Sequence, residues 1–132
     1  MKIEIVTPYQ HIVSDEAEEV LAVGPKGEMG ILPGHAHYVT PLAIGRMVYR
    51  QGAKRHAFVV EGGYMEVFEE KVLVLADHVE RAEEVDLAKA KQGLEKIDKE
   101  MTQGGADYEP FEVLLQRRTV EQTRIQVASE RA

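Results

Sequence analysis

Between Gly24 and Tyr49 the chain reads GPKGEMGILPGHAHYVTPLAIGRMVY, in which turn signals alternate with short apolar runs. A segment punctuated this often has no room for a helix and must fold back on itself as short strands. Pro25 and Gly27 suit the second and fourth positions of a type I turn. Pro33-Gly34 suits a type II turn, whose third residue needs positive φ. The same period-two pattern appears on either side: Ile3 and Ile5 alternate with Lys2 and Glu4, while Val72, Val74 and Ala76 oppose Leu73 and Leu75. Many short strands with turns between them favour an antiparallel sandwich or barrel. Gly62 and Gly63 inside a strand-like run predict a bulge or a close backbone approach. At Glu69-Glu70 neither residue favours the positive φ of a type I′ turn, which predicts a longer loop rather than a two-residue connection.

After Asp77 the period changes. Leu87, Ala90, Leu94, Ile97 and Met101 recur at helical spacing and form a narrow apolar stripe on an otherwise charged segment. Gln103-Gly104-Gly105-Ala106-Asp107 reads as a helix stop, with Asp107 capping a second helix from about Glu109 and Pro110 in its first turn. That second helix carries two apolar sets: Phe111, Leu114, Leu115 and Ile125 near one face, and Val113, Val120 and Val127 in a separate row. Two sets fit either one packed state with a frayed end or two alternative docked states. The expected fold class is α+β: an N-terminal antiparallel β-sandwich over residues 1–78, then a C-terminal two-helix hairpin over 79–132.

At 132 residues the chain has room for one good core plus an appendage. No stretch approaches the roughly 20 apolar residues that span a bilayer, and MKIEIVTP lacks the apolar core of a signal peptide, so the protein is expected to stay in the compartment where it is made. With no cysteine, disulfides, thiolate metal sites and cysteine nucleophiles are excluded. A net charge of -7 argues against nonspecific nucleic-acid binding, which needs a basic footprint. His35 and His37 would share one face of a strand as an H-x-H pair, yet no third ligand is evident, and no metal is expected. Gly24, Gly27 and Gly30 lack the Lys-Ser/Thr of a phosphate-binding loop, and neither Ser14 nor Ser129 sits in a nucleophile elbow. Arg117, Arg118 and Arg124 cluster on the second helix, an arrangement that most often forms a solvated face.

Gly27-Glu28-Met29-Gly30-Ile31-Leu32-Pro33-Gly34-His35-Ala36 closely resembles the G-E-hydrophobic-G-I-L-P-G-H-A signature of the epsilon subunit of F-type ATP synthases. Thr40, Leu42 and Gly45 follow in the expected order. Ile5-Val6-Thr7-Pro8, Val60 to Val67 and Val72 to Asp77 extend the resemblance over nearly the whole chain. The resemblance implies a non-catalytic subunit of the central stalk, whose sandwich couples the gamma subunit to the membrane c-ring of Fo and whose helices inhibit ATP hydrolysis. It places Glu28, Pro33, Gly34 and His35 in the region that meets the ring and gamma, and sets Arg117, Arg118 and Arg124 against acidic segments of the alpha and beta subunits. Membrane association would come only through the complex, at the cytoplasmic face of the inner membrane. Some bacterial members carry an ATP-binding Ile/Leu-Asp-x-x-Arg-Ala motif, matched here by Val85-Asp86-Leu87-Ala88-Lys89-Ala90. Lys89 replaces the planar guanidinium fork with a single ammonium. Weak or undetectable ATP binding is therefore expected, with no other cofactor, and Asp86 is read as a cap of the first helical turn. The alternatives are a free-standing β-sandwich binding module with dimerising helices and a nucleotide-responsive sensor.

Overall fold

A computed structural model describes residues 1–103 and 110–130. Eight strands come first: β1 (Lys2–Val6), β2 (His11–Glu16), β3 (Glu19–Gly24), β4 (Gly27–Ile31), β5 (Tyr38–Pro41), β6 (Gly45–Gln51), β7 (Lys54–Phe68) and β8 (Lys71–Arg81). A single 3-10 turn, Ala82–Glu84, leads into helix α1 (Leu87–Gln103), and α2 (Phe111–Glu130) follows. Strand β8 continues through Arg81, past the boundary expected at 78. The expected helix stop at 104–107 and helix start at Glu109 lie outside the described residues.

The strands hydrogen-bond in the order β2-β1-β8-β7-β6-β3-β4, with β5 also on β7. Register divides this path into two layers. Residues 63–68 of β7 pair with β5 and with the first half of β8, which carries β1 and β2 beyond it. Residues 54–61 pair instead with β6 and the second half of β8, and β6 carries β3 and β4. The inward side chains, among them Ile3, Ile5, Met65 and Val74 from one layer and Val20, Ile31, Met47 and Phe58 from the other, form one core. Full burial of an aliphatic or aromatic side chain is worth about 1.5–3 kcal/mol, so this core dominates the stability. One pairing, β1 with β8, is parallel, a long-range closure that strand-length patterns do not reveal.

The layers meet where β7 passes through Gly62 and Gly63, at φ 73° and 106°. Glu61 pairs with His78 and Gly63 with Ala76 in unbroken step, so no residue is inserted and the site is not a bulge. It is the close approach instead: a Cβ on Gly63 would lie 2.1 Å from the Leu75 carbonyl oxygen. The Leu32–His35 turn forms as expected, with Gly34 at φ 85° and the His35 N–H donating to the Leu32 carbonyl at 3.1 Å.

Two local expectations are overturned. The β7–β8 connection is a two-residue turn after all, with Phe68 paired to Lys71 and both Glu69 (φ 45°) and Glu70 (φ 60°) in the left-handed region. The long ladder between these strands fixes the register and forces the turn, at a cost of roughly 1–3 kcal/mol per residue. His35 and His37 are not on a strand, because β5 begins only at Tyr38. Their rings face different neighbours, His35 edge-on to Tyr38 and His37 edge-on to Phe68. No group of metal-holding side chains occurs among the described residues.

Gly63→Ala should cost more than about 3 kcal/mol, because both φ and the Leu75 carbonyl reject a side chain. Gly27→Ala, at φ 115° with open space around it, should cost less. Urea unfolding of the two variants checks the ordering. A second expectation concerns acid. The Tyr49 hydroxyl donates to Asp15 at 2.9 Å, and this bond, with help from the Glu16 N–H, holds the Asp15 carboxyl below its ordinary range. Hydrogen bonds from Lys71 and Lys2 lower Glu4 in the same sense. Depressed carboxylates contribute stability that is complete above the free carboxylate range, about pH 4, and is lost as pH falls through their folded values. Tyr49→Phe should therefore flatten the fall in melting temperature between about pH 5 and 2, on top of any uniform loss.

Candidate functional site

Helix α2 lies on the outer face of β6 and β7. Three successive residues of β7, Phe58, Val59 and Val60, are buried. Alternation sends Phe58 and Val60 into the sandwich and Val59 the opposite way, where it packs with Ala82, Val85, Val127 and Ala128. The buried members of this second cluster are alanines and valines, with Leu87 partly buried against them, so its apolar contribution is modest. Helix α1 packs against α2, burying Ala90 and Ile97, with Leu114 buried on α2. Gly93 allows their close approach, since a Cβ there would lie 3.2 Å from the Glu121 carboxyl.

Ion pairs frame this small cluster. The Arg124 guanidinium donates to both oxygens of Glu80 on β8, at 2.8 and 3.1 Å, and its Nη1 also reaches Glu121 at 3.2 Å. The hydrogen bonds from Arg124 to Glu80 raise the arginine pKa above its usual value against the opposing effect of burial. Arg46 on β6 links Glu130, near the end of α2, at 2.6 Å and Glu28 on β4 at 3.2 Å. Burial works against its charge, and the two glutamates more than offset this. Arg118 donates to Asp98 of α1 at 2.6 Å. Two members of the arginine cluster thus have separate tasks: Arg124 ties α2 to the sheet, and Arg118 ties α2 to α1. Arg117 is exposed.

Glu28 and the Pro33–His35 turn, expected in the region that meets the ring and gamma, make separate contacts within the chain. Glu28 belongs to the ionic chain under α2, whereas Pro33, Gly34 and His35 form the turn that rests on the β7–β8 hairpin, where the Gly34 N–H donates to the Glu70 carboxylate at 2.8 Å. Asp86 accepts a hydrogen bond from the Lys89 N–H at 3.1 Å, and its carbonyl accepts from Ala90. This is an N-cap, and both Asp86 and Lys89 are exposed. On the opposite layer from α2, no described element covers these outward side chains of β5, β7 and β8: Val39, Tyr64 and Leu75 are 65%, 59% and 51% exposed.

Sequence reasoning missed Arg46, Glu80, Asp98, Glu130 and Glu70. One signal was available. A run such as Phe58-Val59-Val60, with no polar residue between, marks a strand covered on both faces, and Arg46 and Val48 share the outward face of the neighbouring strand. The ionic partners themselves are 44 and 84 residues apart in the chain, beyond any local pattern.

A family model described as ATP synthase, Delta/Epsilon chain, beta-sandwich domain matches residues 1–82. The chain is 38% identical to the ATP synthase epsilon chain of Citrifermentans bemidjiense, over 100% of this chain and 96% of that protein. It is likewise 38% identical to that of Geobacter sulfurreducens, with the same coverage. Among solved structures, a chain of the Euglena gracilis mitochondrial ATP synthase (OSCP/F1/c-ring) superposes with a TM-score of 0.76 at 22% identity, covering 98% of this chain and 80% of that one. A chain of the Tetrahymena thermophila mitochondrial ATP synthase central stalk and c-ring gives 0.68 at 12% identity, covering 96% and 95%.

Proposed function

This chain belongs to the ATP synthase epsilon family, and we propose that it couples the gamma subunit to the c-ring while its helical hairpin acts as a conformational brake on ATP hydrolysis. It is an epsilon subunit of ATP synthase. On this reading the ATP chemistry belongs to other subunits. The chain contributes a rigid sandwich and a hairpin with two positions, one docked on the sheet and one extended into the alpha and beta subunits. No described helix is long and apolar enough to cross a membrane, and attachment at the cytoplasmic face would come through the complex.

The observation that carries the brake is the interface under α2. Its apolar cluster is small, and Arg124–Glu80 and Arg46–Glu130 supply much of its specificity. Charge-assisted hydrogen bonds are worth about 1.5–3 kcal/mol each when sheltered, and less at these partly exposed positions. A helix held this way can leave. Once it leaves, Arg124 is released from Glu80 and becomes free to meet acids elsewhere, while Arg118 stays paired with Asp98 inside the hairpin and holds the two helices together. The uncovered face around Tyr64 and Leu75 offers gamma an apolar surface that the hairpin does not compete for.

Breaking the dock without touching the arginines separates the two states. Glu80→Gln removes the charge that holds Arg124, shifts the hairpin towards the extended position, and should lower ATP hydrolysis of the reconstituted complex severalfold. A population shift of 1.4 kcal/mol corresponds to about tenfold, which bounds the effect. Unchanged hydrolysis in this variant, in a complex where deleting the chain beyond Glu84 raises the rate, would defeat the brake.

For ATP as a ligand, Asp86 is occupied as a cap and Lys89 offers one exposed ammonium. We propose that the isolated chain binds ATP weakly or not at all. Calorimetric titration should show no tight binding; a tight isotherm abolished by Asp86→Ala would reverse this assignment.

A further inference from the structure

The least favourable backbone in the described chain is the turn between β7 and β8, where two glutamates occupy the left-handed region that glycine and asparagine adopt with less strain. The turn is held from three sides. The Lys2 N–H at the start of β1 donates to the Glu70 carbonyl at 2.9 Å, and the Glu70 carboxylate accepts the Gly34 N–H at 2.8 Å. Lys71 lies over the Phe68 ring at 5.8 Å, and His37 stands edge-on to that ring. Asparagine or glycine at position 70 would relax the turn, and glycine would leave Gly34 without this partner. The left-handed conformation at Glu70 aims its carboxylate across 36 residues of sequence at the Leu32–His35 turn.

We infer that Glu70 is a positioning residue: its carboxylate locks the Leu32–His35 turn onto the β7–β8 hairpin, so that the two turns present one rigid surface to the membrane ring. The inference rests on the reading that Pro33, Gly34 and His35 meet the c-ring. It adds the Glu69-Glu70 turn to that contact and explains why a glutamate stands at the strained position 70. Leu32, 53% exposed, is the apolar part of the same surface. A loop that must transmit torque has to resist bending, and a charge-assisted hydrogen bond to its glycine, the residue with the most backbone freedom, stiffens it where it is weakest.

Three full-length variants test this. Glu69→Gly relaxes the turn and leaves the lock intact. Glu70→Gly relaxes it equally and removes the lock, while Glu70→Gln keeps an acceptor oxygen in place. In the isolated chain, amide exchange at Gly34 followed by NMR should quicken about fivefold or more in Glu70→Gly and stay near wild type in Glu69→Gly, with Glu70→Gln between them. Melting temperature should not fall in either glycine variant, which a merely structural glutamate would not allow for Glu70→Gly. In inverted membrane vesicles carrying the full complex, ATP-driven ion pumping per ATP hydrolysed should drop in Glu70→Gly alone. Unchanged Gly34 exchange in Glu70→Gly overturns the lock. Faster exchange with undiminished pumping leaves the lock standing and overturns the ring contact on which its purpose depends.

Discussion

Over Phe58 to Val60, strand β7 has no face to give to water. Its inward side chains fill the sandwich, and Val59 on the other side is covered by Ala82 and Val85 of the 3-10 turn and its exit and by Val127 and Ala128 of α2. The same strand crosses between the two layers at Gly62-Gly63, so the bend that closes the sandwich and the face that receives α2 belong to one continuous ladder. Helix docking, sheet closure and the position of the β7–β8 turn therefore depend on how β7 is paired. A side chain at Gly63 would disturb all three, since the Leu75 carbonyl already occupies the space it needs.

Two kinds of interface result, with different energetics. The sandwich core is built from large aliphatic and aromatic side chains and closes around residues that are 0–7% exposed. The helix dock joins small side chains and then relies on charge, with Arg124, Arg46 and Arg118 each bridging α2 to a different neighbour or region. Helix α2 does not bury either of the apolar rows visible in its sequence as a unit. Leu114 and Val127 are covered, while Phe111, Val113 and Leu115 stay exposed. A helix with its apolar side chains distributed around it depends on whatever surface it meets, because its propensity alone gives little stability at this length.

Much of this was legible in the sequence where the controlling forces are local. Pro33-Gly34 dictates its own turn and Asp86 its own cap, and the switch from period two to helical spacing after Asp77 announces a change of architecture but places it early, since β8 runs through Arg81 and α1 begins at Leu87. Where the forces are not local, the reading failed. Glu69-Glu70 argues against a tight turn by propensity, but the ladder from Phe58 to Phe68 against β8 outweighs two unfavourable φ angles. The histidines look like a strand pair until the Leu32–His35 turn is seen to delay β5 to Tyr38. The candidate site was legible in its outline and not in its chemistry. Arg118 and Arg124 were visible as a cluster, but their partners Asp98 and Glu80 lie on other elements, and Glu28 joins the helix dock rather than the Pro33–His35 turn.

The pairing of Arg124 with Glu80 also constrains how the proposed brake would work. An arginine bound to an intramolecular acid is not available to a partner's acid, so any surface that captures the extended hairpin must first compensate for the loss of that pair. The two states then compete for one guanidinium, and the equilibrium reports the difference between two charge-assisted contacts rather than the full strength of either. Differences of that kind are small, a few kcal/mol at most, which is the range in which the condition of the motor can decide the outcome. Salt weakens both contacts, so it shifts the balance only to the extent that one is more sheltered than the other. Glu80 and Arg124 are each about one-fifth exposed in the docked state, so any acceptor more sheltered than this pair would gain on it as ionic strength rises.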